Sequence, residues 1–368
     1  MTERIAFLLS KDPTITHGGD LTISRMLMDI ARESHDVVCL CLSEDADLPP
    51  QPGLIRIQKP PVEGWRIGLR SLRSRRSLVH ERYETPAFTR AIDHIDAEVF
   101  VADHSYMAEA YLRSNAGSRS RLLLNTVIFE SFVWAQTRGL VGRLDGFRIR
   151  RDELRVARAA HAVASYDKAE ADYLRQHGVE RSTWLDITLP PQTAVDIAGT
   201  GRRLVFVGDR TWPPNADAYA LLVKWWPEIA DGIEGAELKL VGKPGGRVIP
   251  HLPDSVEDLG FVDDLDGLLA TCRGLVAPVQ TGGGVRVKIL DAASRGIPVV
   301  GTSAGIGSLA EVFELAPHDT KHSFIARARA LLLDVDLAVS EGRRLYDLNA
   351  ARWERRVPQS GFERWLAT

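Results

Sequence analysis

Residues 278–300 read PVQTGGGVRVKILDAASRGIPVV. The stretch leaves a strand near Pro278 and turns through Gly282, Gly283 and Gly284. It then enters a helix at Val285 to Val287 and ends on a second apolar strand, Pro298–Gly301. Strand, glycine turn, helix and strand in that order make the βαβ unit of a parallel sheet. Glycines let a ligand approach the backbone closely, and the free N–H groups and positive dipole end of a new helix attract an anion. Arg286 and Lys288 add two full positive charges within the first helical turn. Cations there oppose the helix dipole, so local stability does not account for them, whereas a bound anion does. The plainer reading is a tight turn carrying two solvated side chains. Asp291 sits one turn further in, where a carboxylate can accept hydrogen bonds from a ribose or sugar hydroxyl.

The same alternation runs outward in both directions. Between residues 186 and 203 the periodicity fades around Pro190, Pro191, Gly199 and Gly201, the best linker in the chain. After it come strands at Leu204–Val207, Glu237–Val241 and Gly274–Ala277, with helices at Ala216–Trp226, Leu265–Ala270 and Val287–Arg295. Before it, Arg4–Leu9 and Val37–Leu42 flank a helical segment with Ile23, Leu27 and Ile30 on one face, and further strands are expected at Glu98–Ala102, Arg121–Leu124 and Ala162–Ala164. The expected architecture is α/β throughout, with two Rossmann-like domains whose parallel sheets face an interdomain cleft. The expected boundaries are 1–190 for the first domain, 200–345 for the second, and 346–368 for a helical segment packing back through Trp353, Phe362 and Trp365.

The length of 368 residues agrees with two domains at roughly 150 residues each. With 45 % hydrophobic and 26 % charged residues the chain has the mix of a globular protein, not of a disordered or fibrous one. No apolar run approaches the roughly 18 residues of a membrane span, and a cytoplasmic location is expected. The three cysteines, Cys39, Cys41 and Cys272, supply neither a disulfide framework nor a paired metal motif, and Cys39 and Cys41 alternate along a strand as core residues. The net charge of −3 conceals an imbalance, because residues 56–90 hold nine Lys/Arg against Glu63, Glu81 and Glu84. A second basic segment, residues 138–158, carries Arg138, Arg143, Arg148, Arg150, Arg151, Arg155 and Arg158 against Asp145, Asp152 and Glu153. The ordinary reading of both is solvated helix faces. The sharper one is a landing surface for an anionic acceptor or for membrane headgroups, with peripheral contact at the inner face of the membrane. No nucleic-acid motif accompanies them, and no nucleic-acid partner is expected.

The stretch at 282–300 resembles the donor-binding signature of glycosyltransferase family 4, in the subgroup that writes it G-G-G-x-R-x-K-I-x-E-A followed by a G-x-P-V-V strand. Phe206-Val207-Gly208 followed by Trp212, Pro213, Pro214 and Asn215 is similar to the opening of that subgroup's nucleotide-binding domain, and Gly260-Phe261-Val262 before Asp263 to its turn beside the base. Gly18-Gly19, and Asn125-Thr126-Val127 with Glu130 and Trp134, look like further landmarks. The likeness is dense after residue 200 and thin before it. It implies a GT-B fold and retaining, metal-independent transfer of a sugar from a nucleotide-diphosphate donor, with the donor on the C-terminal domain and the acceptor on the N-terminal one. No further cofactor is implied, and the acceptor is left open among a saccharide, a lipid-linked saccharide, a natural product and a protein.

Carried over by position, Arg286 and Lys288 neutralise the diphosphate and assist catalysis, Gly283, Gly284 and Val285 line it with backbone, and Asp291 holds the ribose. Gly18, Gly19, Gly208, Phe261 and Val262 complete the donor-binding set. Two departures stand out. The family has Glu where this chain has Asp291, one methylene shorter, and the commoner motif has Glu where this chain has Gly283. A sugar-hydroxyl contact is therefore lost or taken over by backbone, and donor identity does not transfer.

The chemistry of the residues agrees with that assignment, since fixed cations and a helix N-terminus stabilise a departing diphosphate without a metal. Asp263, Asp264 and Asp266 read better as a loop and helix N-cap than as a metal site. On the acceptor side His104 follows a strand and is expected at its carboxyl end, and His17 and Asp20 likewise after the first strand. Each can orient a hydroxyl or take its proton, and each is equally well read as a loop residue capping backbone. Retaining chemistry implies that a leaving-group phosphate oxygen assists deprotonation, which leaves His104 a helper, and Glu130 is a second polar contact. An inverting transferase or a nucleotide-sugar epimerase on the same fold, and a non-catalytic nucleotide-sugar binder, remain as alternatives. A dehydrogenase is disfavoured because no G-x-G-x-x-G follows a strand.

Overall fold

The structure, a computed structural model, describes residues 3–16, 18–137, 139–246 and 251–368. His17 and Arg138 lie outside the described residues, as does the side chain of Arg143. Contacts divide the chain into two units. One comprises Met1–Asp186, Gly283–Val285 and Gln359–Thr368, and the other Ile187–Gly282 and Arg286–Pro358.

The first unit is built on β1 (Arg4–Leu9), β2 (Asp36–Ser43), β3 (Leu54–Gln58), β4 (Val99–Asp103), β5 (Arg121–Thr126), β6 (Ala162–Ser165) and β7 (Ser182–Trp184). They form one sheet in the order β3-β2-β1-β4-β5-β6-β7, every pair parallel. The central strands are apolar runs buried on both faces, as a parallel sheet covered by helices requires. The helix Gly19–Arg32 buries Ile23, Leu27 and Ile30 against this sheet, the face its spacing indicates. Cys39 and Cys41 are buried in β2. The terminal helix Val357–Leu366 belongs here from Gln359 onward, with Phe362 buried and its ring 6.5 Å from that of Phe7.

The second unit holds β8 (Arg203–Val207), β9 (Glu237–Val241), β10 (Val256–Gly260), β11 (Gly274–Ala277) and β12 (Val299–Gly301), in the order β10-β9-β8-β11-β12 and again all parallel. The helix Pro213–Ala230 covers it with Trp226, Leu222 and Ala218 fully buried. Tyr346 and Asn349, on the helix Val335–Glu354, bond the carbonyls of Gln192 at 3.1 Å and Leu189 at 2.9 Å and fasten that helix to the segment preceding β8.

Each sheet reverses its strand order once, between β1 and β4 and between β8 and β11. Loops leaving the carboxyl ends of such a pair diverge to opposite faces and open a crevice, the general ligand site of open parallel sheets. His104 and Asp20 follow the strands of the first reversal and Gly208, Arg286 and Lys288 those of the second, whereas Phe261 and Val262 follow the edge strand β10. Among the described residues no helix is long and apolar enough to cross a membrane.

Candidate active site

In the second unit the crevice is bounded by the turn after β8 and the loop after β11. Gly208 leaves β8 with its N–H on the carbonyl of Val241 at 2.9 Å. A side chain at 208 would start 2.8 Å from the amide carbon of Asn215, so glycine is what lets Asn215 fold back over the turn. Asn215 Nδ2 donates to the carbonyl of Asp209 at 3.0 Å, which fixes the amide with its oxygen turned the other way. That oxygen accepts from Lys288 Nζ at 2.9 Å.

Lys288 is the second residue of the helix Val287–Arg295, and its ammonium lies 4.8 Å from the ring centre of Phe206 on β8. Burial and the positive charge of Arg286 push its pKa down to about 8. Among the described residues no carboxylate pairs with it. Arg286 is the N-cap residue of the same helix; its Nε donates to the carbonyl of Ala304 at 2.9 Å and its guanidinium lies against Gly307. Two cations thus converge at one helix N-terminus, which carries a partial positive charge of its own.

Asp291, the expected ribose contact, is one turn along. Burial raises its pKa, and Arg295 Nε holds its Oδ1 at 3.1 Å while the same guanidinium reaches Asp266 at 2.8 Å. Arg295 was not singled out by the sequence, although its i,i+4 spacing from Asp291 is a readable signal. Phe261 and Val262 follow β10, with Phe261 exposed. Asp264 caps the next helix, its carboxylate accepting the Gly267 N–H at 2.8 Å, and Asp266 pairs with Arg295, which gives the acidic string structural tasks. No cluster of three or more metal-ligating side chains occurs among the described residues.

The glycines of the motif divide differently. Gly283–Val285 group with the first unit. There the Gly284 N–H donates to Glu170 Oε1 at 2.8 Å and the Val285 N–H to the carbonyl of Val127 at 3.2 Å. A side chain at 283 would begin 2.3 Å from the same Glu170 oxygen, so the carboxylate of Glu170 fills the space that such a side chain would need. Nothing in the sequence around Glu170, which lies in the helix Lys168–Gln176, marks it as a partner of that loop.

At the reversal in the first unit, His104 immediately follows β4. Its backbone is left-handed, with φ 69°, and is pinned by its N–H on the Asn125 carbonyl at 2.8 Å. The ring is buried and stacked on Tyr106 at 4.8 Å, and Nδ1 has no hydrogen-bond partner among the described residues. Burial pushes its pKa down to about 4 against the opposing pull of Asp20, so the imidazole is neutral near pH 7. Asp20, in the first turn of the helix that Gly18 and Gly19 open, is salt-bridged to Lys11 at 2.6 Å. The structure thus gathers His104, Asp20 and Lys11 at one reversal, and Gly208, Arg286, Lys288 and Asp291 at the other. Asn215, Lys11 and Glu170 are site neighbours that sequence reasoning did not assign.

Comparison with known proteins bears on the same regions. Residues 201–334 match the family described as glycosyl transferases group 1. No curated protein sequence matches the chain. Among solved structures, sucrose-phosphate synthase from Thermosynechococcus elongatus aligns over 99 % of both chains with a TM-score of 0.74 at 17 % identity. HepE from Anabaena, solved in complex with UDP and glucose, aligns over 100 % of both chains with a TM-score of 0.68 at 14 % identity. WaaG, a glycosyltransferase involved in lipopolysaccharide biosynthesis, aligns over 98 % of both chains with a TM-score of 0.68 at 15 % identity. At these identities the structural likenesses establish the fold, while the matched domain speaks to the chemistry. The chain carries a group 1 glycosyltransferase domain on a GT-B fold, and it is a glycosyltransferase.

Proposed function

We propose that this glycosyltransferase takes its sugar from a nucleotide-diphosphate donor and passes it to a hydroxyl-bearing acceptor with retention at the anomeric carbon and without a metal ion. The observation that carries the reading is Lys288. A desolvated ammonium whose contacts are an amide oxygen and an aromatic face costs folding energy that an anionic ligand would recover. With Arg286 and the helix N-terminus beside it, the anion that fits is a diphosphate, whose departure from the sugar leaves negative charge on the oxygen facing these groups. The solved structures of HepE with UDP and with UDP-glucose support a uridine donor as the first to try. In this reading Asp291 meets the ribose, and Phe261 and Val262 the base.

In this reading His104 is an acceptor-side helper. It is neutral at working pH, so its unprotonated ring nitrogen can accept a hydrogen bond from an incoming hydroxyl. The hydroxyl proton passes to the departing phosphate oxygen as the new glycosidic bond forms and the sugar–phosphate bond breaks.

The test is a thermal-shift screen against uridine, guanosine, adenosine and thymidine diphosphates and their sugars, because a ligand of the folded form raises its apparent stability by mass action. Turnover of the donor so identified is then followed with a chelator present. The reading requires a stabilising nucleoside diphosphate, full activity in chelator and an anomeric configuration shared by donor and product. Loss of activity restored by magnesium or manganese, or an inverted product, would overturn it.

A further inference from the structure

Two helices of the first unit carry their apolar side chains on the outside. In Gly64–Ser74 the only buried residue is Ser71, while Trp65, Leu69 and Leu72, spaced i, i+4 and i+7, are exposed. In Gly139–Ala159 the same spacing recurs in Leu140, Leu144 and Phe147. These six are between 59 and 78 % exposed. An amphipathic helix of a globular protein turns such a stripe inward, so two outward stripes call for another apolar phase.

The helices are joined. Arg148 donates to the carbonyl of Ser71 at 2.8 Å, and in the segment just after the first helix Asp152 accepts the Ser77 N–H at 2.7 Å and Asp145 the Leu78 N–H at 3.1 Å. These bonds also sort the charge, because Asp145, Asp152 and Glu153 all point inward and are buried. What remains at the surface is basic, with Arg66, Arg73, Arg75 and Arg151 exposed. Glu63, which pairs with Arg66 at 2.7 Å, is the acidic neighbour.

We propose that this face docks on an anionic lipid bilayer, the helices lying in the plane of the headgroups with Trp65, Leu69, Leu72, Leu144 and Phe147 inserted and the arginines on lipid phosphates. Large apolar tips among arginines match the two layers such an interface presents. A second copy of the chain fits poorly, since a two-fold contact would set one arginine-rich face against another. The inference goes beyond glycosyl transfer and does not depend on it.

Co-sedimentation of the full chain with vesicles decides it. The chain should pellet with vesicles of equal parts phosphatidylcholine and phosphatidylglycerol, at least about tenfold more than with phosphatidylcholine alone, and high salt should release part of it. Leu69→Glu with Leu72→Glu, and separately Leu144→Glu with Phe147→Glu, should abolish pelleting. All four positions are exposed, so circular dichroism should be unchanged. Equal pelleting on both vesicles, or Glu variants that bind like the parent, would overturn the proposal. So would a dimer in sedimentation equilibrium that the same variants convert to monomer, which would assign the face to a second copy.

Discussion

Lys288 Nζ donates to Asn215 Oδ1 at 2.9 Å, so the ammonium at the start of the helix Val287–Arg295 is oriented by a neutral amide and not by a carboxylate. An aspartate in the same place would neutralise it. Asn215→Asp is therefore expected to weaken nucleoside-diphosphate binding at least about tenfold, or about 1.4 kcal/mol, although one oxygen still meets Lys288. Calorimetry of the variant measures this; affinity equal to that of the parent would show that Lys288 does not meet the phosphates.

The depressed pKa of Lys288 sets a pH dependence with a definite sign. Its folded value is about 8 against an ordinary 10.5, so between these values the unfolded chain holds a proton that the folded one has lost. Stability of the ligand-free protein from this group therefore rises with pH across that window, and the burial penalty is fully present below it. Diphosphate affinity runs the opposite way and should fall as pH rises through about 8. Titrations between neutral and alkaline pH check this, and Lys288→Met should remove the slope.

Which parts of this architecture could be read in advance follows from burial. Strands β1, β4, β5, β8 and β11 lie inside their sheets and are near-continuous apolar runs, which the sequence announces. Strands β3, β7 and β10 are edge strands with partly exposed residues, reading LIRIQ, STW and VEDLG, and no such run marks them. The site shows the same division. The cations of the helix Val287–Arg295 stand out because they contradict the helix dipole, and Asp264 stands out as a helix cap. Glu170 is 114 positions from the glycine N–H it accepts, and Asn215 is 73 from Lys288, so neither pairing has a local signature. The arginines at 66–76 and 148–158 are legible as basic segments, whereas the outward turn of their apolar neighbours is a matter of tertiary packing.

Glu153 offers a test of the first unit that is independent of any ligand. Burial pushes its pKa up to about 8, with Glu130 adding to the rise and the Ser131 N–H, 3.4 Å from its Oε1, opposing it. Between about 4.5 and 8 the folded chain keeps a proton that the unfolded one has released, so this group costs stability progressively as pH rises. Glu153→Gln should be more stable than the parent at mildly alkaline pH, with a smaller difference at acidic pH, by urea unfolding. A difference that does not vary with pH would contradict the protonated state.

The claim on which the rest depends is that Arg286 and Lys288, at the start of the helix Val287–Arg295, hold the diphosphate of the donor. Isothermal titration of the parent and of Arg286→Ala with the nucleoside diphosphate that the stability screen selects measures it most directly. The variant should bind more weakly by about 1.5–3 kcal/mol, the usual worth of a hydrogen bond to a charged group. Unchanged affinity in the folded variant would contradict it.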